Sequence, residues 1–169
     1  LQFMPEEKRP RVSQETLDIY APIANRLGMN KMKNELEELA FMHLEPQAFE
    51  SLRARVDAKR AATVGVIDEL TAAIRSKLAA ADVPVRTVDG RVKRLYSIFL
   101  KLRRQKIDLD QVYDFVAIRI VTPSVKDCYA ALGIIHQAWQ PVPGRIKDFI
   151  AMPRPNGYQS LHTSVISDR

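Results

Sequence analysis

One cysteine, Cys128, stands in the 169 residues, so no internal disulfide framework can form and a reducing cytosol is compatible. The three histidines, His43, His136 and His162, have no Cys or His partners at metal-ligand spacing, which argues against a His/Cys metal site. No apolar run approaches the roughly 18–20 residues needed to cross a bilayer, and the N-terminus has no signal-peptide core. A cytoplasmic protein without a membrane partner is therefore expected. Neither a Gly-x-x-x-x-Gly-Lys loop nor a Gly-x-Gly-x-x-Gly turn is present, so any nucleotide binding must use side chains rather than a glycine cradle. Residues 83–169 contain no Glu at all.

What is present divides unevenly. Residues 1–82 carry 12 Lys/Arg against 13 Asp/Glu, whereas residues 83–169 carry 14 Lys/Arg against 7 acids, all Asp, within a total charge of +6. That asymmetry suggests that the second half meets phosphate. With 46% hydrophobic residues, the chain can build a real core in one good-sized domain or two small ones.

The first half reads as helices. Leu17, Tyr20, Ala24 and Leu27 follow helical spacing, with a kink or a local break expected at Pro22 and a stop at Gly28. Met32, Leu36, Leu39 and His43 mark a second helix with Asn30 as its N-cap. A third begins near Pro46 and runs through Phe49, Leu52, Val56, Val64, Ile67, Leu70, Ile74 and Leu78, with Gly65 as a point of division. After Pro84 the texture becomes mixed. Val85 to Val88 reads as a short strand and Asp89-Gly90 as a turn into a helix from Arg91 to about Arg104. Val112 to Val121 (VYDFVAIRIV) reads as a central strand. Ser124 opens a helix with Cys128, Ala131, Leu132 and Ile135 inward, ending near Trp139. Arg145 to Asp148, Phe149 to Met152 and Tyr158 to Ile166 complete the unit as strands around a Pro- and Gly-rich turn. The chain stops at Arg169 straight after a strand, and truncation is expected.

Several residues have the chemistry of a nucleotide site. At about 100° per residue, Lys93, Arg94, Ser97, Lys101 and Arg104 share an arc of roughly 100°, opposite Val92, Leu95, Phe99 and Leu102. A row of cations with a small hydroxyl residue in its middle suits a polyphosphate, although a solvated basic face has the same pattern. Asp114 at the mouth of an apolar strand suits Mg²⁺ bridged to phosphates, or a strand-end acid bonded to backbone amides. Arg119 offers a planar guanidinium that can stack on a base. Regular alternation would put Tyr158, Ser160, His162 and Ser164 on one face, with Arg154 and Asn156 nearby. An aromatic ring, an imidazole and a side-chain amide beside cations suit a base that carries phosphates.

Four stretches, ETLDIYAPIANRLGM, GRVKRLYSIFLK, VYDFVAIRI and GRIKDFIAMPRPNGYQSLHT, resemble the RelA/SpoT family of guanosine tetra- and pentaphosphate synthetase/hydrolases. The resemblance implies an α+β chain, an N-terminal all-α segment followed by part of a nucleotidyltransferase-like mixed α/β sheet domain. Residues 1–44 would be closing helices of a hydrolase domain, 45–82 a connecting helical segment and 83–169 the start of a synthetase domain. The implied reaction moves the β,γ-pyrophosphate of ATP to the 3′-hydroxyl of GTP or GDP with Mg²⁺, giving (p)ppGpp. Arg91 and Arg119 would sandwich adenine, Lys93, Ser97 and Lys101 would contact the ATP phosphates, and Asp114 would hold Mg²⁺ as the catalytic carboxylate. Tyr158 would stack on guanine, with Arg154, Asn156 and His162 around the acceptor. Arg145, Lys147 and Asp148 match the basic Arg-x-Lys-Asp motif of the family's bifunctional members.

Two departures limit what the resemblance implies. The family's second catalytic carboxylate is a Glu, of which residues 83–169 have none, so weakened or absent synthesis by this chain alone is expected. The family's hydrolase metal ligands lie upstream of the matching stretch, so that metal site is not expected in this chain. Two other readings fit the composition: a basic nucleic-acid-binding module, and a structural hinge between two catalytic halves. On the family reading this stretch makes no direct contact with nucleic acid.

Overall fold

The computed structural model describes residues 3–112 and 116–166, apart from the side chains of Val92, Gln111 and Val116. The chain divides into two compact units, Leu1–Thr63 with Val92–Val116 and Val64–Arg91 with Ala117–Arg169.

In the first unit a 3-10 turn (Glu6–Lys8) leads into α1 (Arg9–Glu15), a π-helical turn (Thr16–Tyr20) and α2 (Ala21–Arg26). Pro22 has no N–H to return to the preceding turn, and the expected break takes the form of that widened turn just before it. The wider turn also changes the phase of the helix. Ala21 and Ala24 are buried, while Tyr20 and Leu27, expected inward, are exposed. Gly28, at φ +71°, ends α2 as expected: its N–H donates to Asn25 O at 3.2 Å and that of Met29 to Ala24 O at 2.9 Å. In α3 (Asn30–Leu44), Asn30 is the first helical residue and Met29 takes the cap position. Ala40 and Phe41 point inward, whereas Met32 and Leu39 are exposed.

Phe41, 1% exposed, centres this unit. Its ring lies 4.3 Å from that of Phe99, 5.4 Å from Phe49 and 5.7 Å from Tyr96. Phe99 and Tyr96 belong to α5 (Leu95–Gln105), which adds buried Ile98 and half-buried Leu95 and Leu102. Each such ring pair contributes about 0.5–1.5 kcal/mol beyond area burial. Burial raises the pKa of the Tyr96 hydroxyl, and nearby Glu37 and Asp18 raise it further. The segment after α5 is tied down by Arg55, whose Nη2 donates to Asp108 Oδ1 at 2.6 Å, and by Lys59, whose Nζ donates to Leu109 O at 3.0 Å.

Helix α4 (Pro46–Ala80) is continuous through Gly65, so the expected division there does not occur. Phe49, Leu52 and Val56 serve the first core, and Ile74 and Leu78 the second. Between them Val64, expected on the inward stripe, is exposed.

In the second unit β1 (Thr87–Val92) pairs with β2 (Val116–Val121), and α6 (Val125–Ala138) covers them with Ala131 and Ile135 buried. Ser124 caps α6 as expected, its hydroxyl accepting from Asp127 N at 3.2 Å. Cys128 is half-buried, 3.0 Å from Thr122 Oγ1, rather than in the core. The short strands β3 (Gln140–Pro141) and β6 (Val165–Ile166) pair antiparallel, as do β4 (Lys147–Asp148) and β5 (Leu161–His162). His136 Nε2 lies 2.8 Å from Thr163 Oγ1 and ties α6 to the loop between β5 and β6.

The Asp89-Gly90 turn expected from sequence is instead the middle of β1. A Cβ on Gly90 would collide with Ile67 Cγ2 of α4, so glycine is there for close packing of strand on helix. Gly90→Ala is expected to cost about 1–3 kcal/mol by overpacking, and less in an Ile67→Ala background. Phe41→Ala is expected to cost about 3–5 kcal/mol. Denaturant titrations followed by the single tryptophan, Trp139, measure both.

Candidate functional site

Within the second unit, the β4–β5 register pairs Lys147 with His162 and Asp148 with Leu161. Just past it, Phe149 N donates to Ser160 O at 2.9 Å. The chain then turns. Gly157, at φ +75°, donates its N–H to Arg154 O at 2.9 Å, and Arg154 N donates to Tyr158 O at 3.1 Å. Asn156 Oδ1 accepts from Tyr158 N at 3.2 Å, a turn that Asn favours because its side chain bonds its own backbone two residues on. Two corrections follow. Phe149 to Met152 is turn rather than strand, and Tyr158 to Ser160 lies outside the regular ladder. The bend responsible is built by Asp148, whose Oδ1 accepts from both Ile150 N and Ala151 N and so ends the strand.

This loop gathers four side chains. The Phe149 ring lies 5.2 Å from the His162 ring at 87° and 6.1 Å from the Tyr158 ring at 63°. The Arg154 guanidinium sits 4.4 Å from the Phe149 centroid and 5.7 Å from that of Tyr158. Tyr158 Oη lies 2.8 Å from His162 Nε2. Edge-to-face packing holds each ring at an angle to the next, and a guanidinium over a ring face adds cation–π attraction. Phe149 went unrecognised as a site residue in the sequence, although it directly follows the Arg-x-Lys-Asp motif.

Partial burial, and then the charges of Arg154, Lys147 and Arg91, hold the His162 pKa below the ordinary histidine value. That shift favours the neutral imidazole, whose Nε2 shares a hydrogen bond with the tyrosine hydroxyl. Asp148 is held below the usual carboxylate range by the Ala151 amide and the Tyr129 hydroxyl, with Ile150 adding. Arg145 is exposed, its N–H donating to Val142 O at 3.2 Å.

Arg91 and Arg119 are both exposed, on β1 and β2. On these strands Val88, Ile118 and Ile120 pack into the core, so Asp89, Arg91 and Arg119 occupy the opposite face. Arg119 Nη2 donates to Asp89 Oδ2 at 3.3 Å. Asp89, read in the sequence as a turn residue, is thereby the group that orients Arg119.

In the first unit Ser97 and Lys101 lie one helical turn apart on α5, with Ser97 exposed and Lys101 half-buried. Lys93 precedes α5, which starts at Leu95, so the expected helix from Arg91 is four residues too long. Neither Arg91 nor Lys93 belongs to its wheel. Strand β1 continues through Gly90 because the strand packs on Ile67 there. Asp114 lies outside the described residues, as does the first part of the strand expected from Val112. Val112 itself is buried in the first core, and β2 begins at Val116. Among the described residues no group of three His, Cys, Asp or Glu could hold a metal ion. No described helix is long and apolar enough to cross a membrane.

Residues 90–169 match the family described as the region found in RelA / SpoT proteins. The chain is 50% identical over 166 residues to a GTP pyrophosphokinase of Myxococcus xanthus, covering 98% of this chain and 22% of that protein. It is 41% identical over 166 residues to the bifunctional (p)ppGpp synthase/hydrolase RelA of Mycobacterium tuberculosis, with 98% and 22% covered. The chain belongs to the RelA/SpoT family. It spans about a fifth of the length of these curated relatives. In architecture, a mixture of helices and small sheets, this family member resembles the small alarmone synthetase 2 of Bacillus subtilis. That match has a TM-score of 0.50 at 26% identity, over 67% of this chain and 60% of that one. It shares its fold with the small alarmone synthetase 1 of the same organism, solved bound to its product pppGpp. There the TM-score is 0.53 at 24% identity, with 66% and 62% covered.

His162 is expected to titrate below the ~6.5 of a free histidine. Because the folded value is lowered, the unfolded chain binds more protons between the two values, so stability rises with pH across that window and levels off above it. An NMR titration of the His162 ring measures the midpoint, and Lys147→Ala is expected to move it upward.

Proposed function

We propose that this chain carries nucleotide-binding parts of a GTP pyrophosphokinase, which transfers the β,γ-pyrophosphate of ATP to the 3′-hydroxyl of GTP or GDP. The observation that carries the reading is the Tyr158–His162–Phe149–Arg154 cluster. It combines a half-buried tyrosine ring, an imidazole at the end of β5 and a cation around one turn. Tyr158 stacks on guanine, and Arg154, Asn156 and His162 surround the acceptor nucleotide. Arg91 and Arg119, exposed on the outer face of β1 and β2, take adenine, with Asp89 orienting Arg119. Lys93, Ser97 and Lys101 contact the ATP phosphates, and several cations are what a triphosphate requires.

Asp114 is the carboxylate that would hold Mg²⁺, and the bound ion would offset phosphate charge. In the transfer the 3′-oxygen bonds to the β-phosphorus of ATP, AMP leaves, and the hydroxyl proton passes to a base. Positioning and electrostatic stabilisation carry most of the catalysis. Residues 83–169 supply no Glu for that base. We therefore assign the chain to the interior of a longer cytoplasmic enzyme, with residues 1–44 closing a hydrolase domain and 45–82 connecting it to the synthetase part. Synthesis by the isolated chain is then weak or absent.

Calorimetry with GDP tests the reading. Tyr158→Ala is expected to weaken GDP binding roughly five- to 150-fold, the equivalent of about 1–3 kcal/mol of stacking. Arg119→Ala is expected to weaken an ATP analogue and spare GDP. GDP binding that Tyr158→Ala leaves untouched would refute the site. A nucleic-acid module would show a steep salt dependence spread over many Lys and Arg positions instead.

A further inference from the structure

Tyr129 lies on the exposed side of α6, away from Ala131 and Ile135. Its hydroxyl donates to Asp148 Oδ2 at 2.8 Å. The other oxygen of that carboxylate accepts from Ile150 N at 2.9 Å and Ala151 N at 2.8 Å. Asp148 O also accepts from Met152 N at 3.3 Å. Asp148 is thus committed on both oxygens to holding a helix and a turn together. Within that turn's first step stands Phe149, the ring that meets His162, Tyr158 and Arg154.

We propose that Tyr129 is a positioning residue for the guanine-nucleotide acceptor, acting through Asp148 to set the Phe149 ring against which Tyr158 and His162 are arranged. The acid of the Arg-x-Lys-Asp motif then works by shaping the loop from within rather than by touching the nucleotide. In this geometry Asp148 accepts on both oxygens, which favours its ionised form, in keeping with the lowered pKa of this carboxyl. A phenol is well suited to the helix end of the link. It reaches across with a rigid ring and donates one directional hydrogen bond to a charge, of the stronger class for neutral donors. The effect is selective, because Arg91 and Arg119 stand on β1 and β2, whereas the Tyr129–Asp148 bond joins α6 to β4.

The proposal rests on the acceptor-site reading above, and the test separates the two. Calorimetry with GDP and with a non-hydrolysable ATP analogue is run on the full chain as wild type, Tyr129→Phe and Tyr158→Ala, alongside thermal melting and the His162 ring titration. Tyr129→Phe is expected to weaken GDP roughly three- to thirtyfold, a range typical of coupling through packed neighbours. It should leave the ATP analogue unchanged and shift the His162 midpoint, with melting close to that of wild type. Asp148→Asn, which keeps an acceptor oxygen but removes the charge, is expected to act in the same direction. GDP binding and a His162 midpoint that are unchanged in Tyr129→Phe, while Tyr158→Ala abolishes binding, overturn the positioning role alone. Parallel losses of both nucleotides with a lowered melting temperature also overturn it, because they mark a merely structural tyrosine. No GDP binding by the wild type overturns the acceptor-site reading, and this inference with it.

Discussion

The Asp148 carboxylate occupies a place where a helix, a two-residue strand and a turn all depend on one side chain. It accepts from Tyr129 on α6 and from two successive backbone amides beyond β4. Those amides would otherwise be left without partners at the end of a strand, and an ionised acceptor bonds them more strongly than a neutral one. The strand therefore stops at Asp148, and the chain turns with Phe149 at its corner. The Phe149 ring on that corner meets Tyr158, His162 and Arg154.

The same loop explains why a histidine and a tyrosine can share a site rich in cations. His162 is partly buried, faces Lys147 across the ladder and has Arg154 nearby, so a further positive charge on the imidazole is unfavourable. Neutral, it can accept from Tyr158, which fixes the phenol ring by its hydroxyl as well as by its edge. A fixed ring loses less conformational freedom when a base stacks on it, the general advantage of an organised binding surface. In the first unit the Phe41 cluster has a comparable part. It anchors α5 through Phe99, Tyr96 and Ile98, and so presents Ser97 and Lys101 on a rigid helix face.

Much was legible beforehand because it depended on local chemistry. Gly28 at a positive φ, Ser124 as a cap and the apolar face of α6 at Ala131 and Ile135 follow from near neighbours in sequence. The clustering of Arg154, Asn156, Tyr158 and His162 was also legible, since a Pro- and Gly-rich turn returns the chain over a few residues. Other readings went astray where a distant contact overruled a local preference. Asp89-Gly90 has the composition of a turn, yet Ile67 of α4 lies against Gly90 and makes it the packing point of a strand. Phe149 to Met152 has strand-like composition, yet the amides of Ile150 and Ala151 are taken by Asp148. Tyr20 and Leu27 look inward on a regular wheel, but the π-helical turn at Thr16–Tyr20 breaks the phase that such a wheel assumes, and on α3 it is Ala40 and Phe41 that are buried while Met32 and Leu39 are exposed.

From the order of residues alone come the uneven distribution of charge, the absence of Glu from residues 83–169, the helical first half and the family motifs. These are properties of composition, spacing and near neighbours, and they survive any arrangement of the chain. Tertiary structure alone decided that Asp89 orients Arg119, that Tyr129 reaches Asp148, and that Phe149 is the ring on which Tyr158 and His162 lean. Those partners are 30, 19 and 9 to 13 positions apart, a separation across which no periodicity specifies a contact. Only the closing of the strands and the packing of α6 bring them within hydrogen-bond or van der Waals reach.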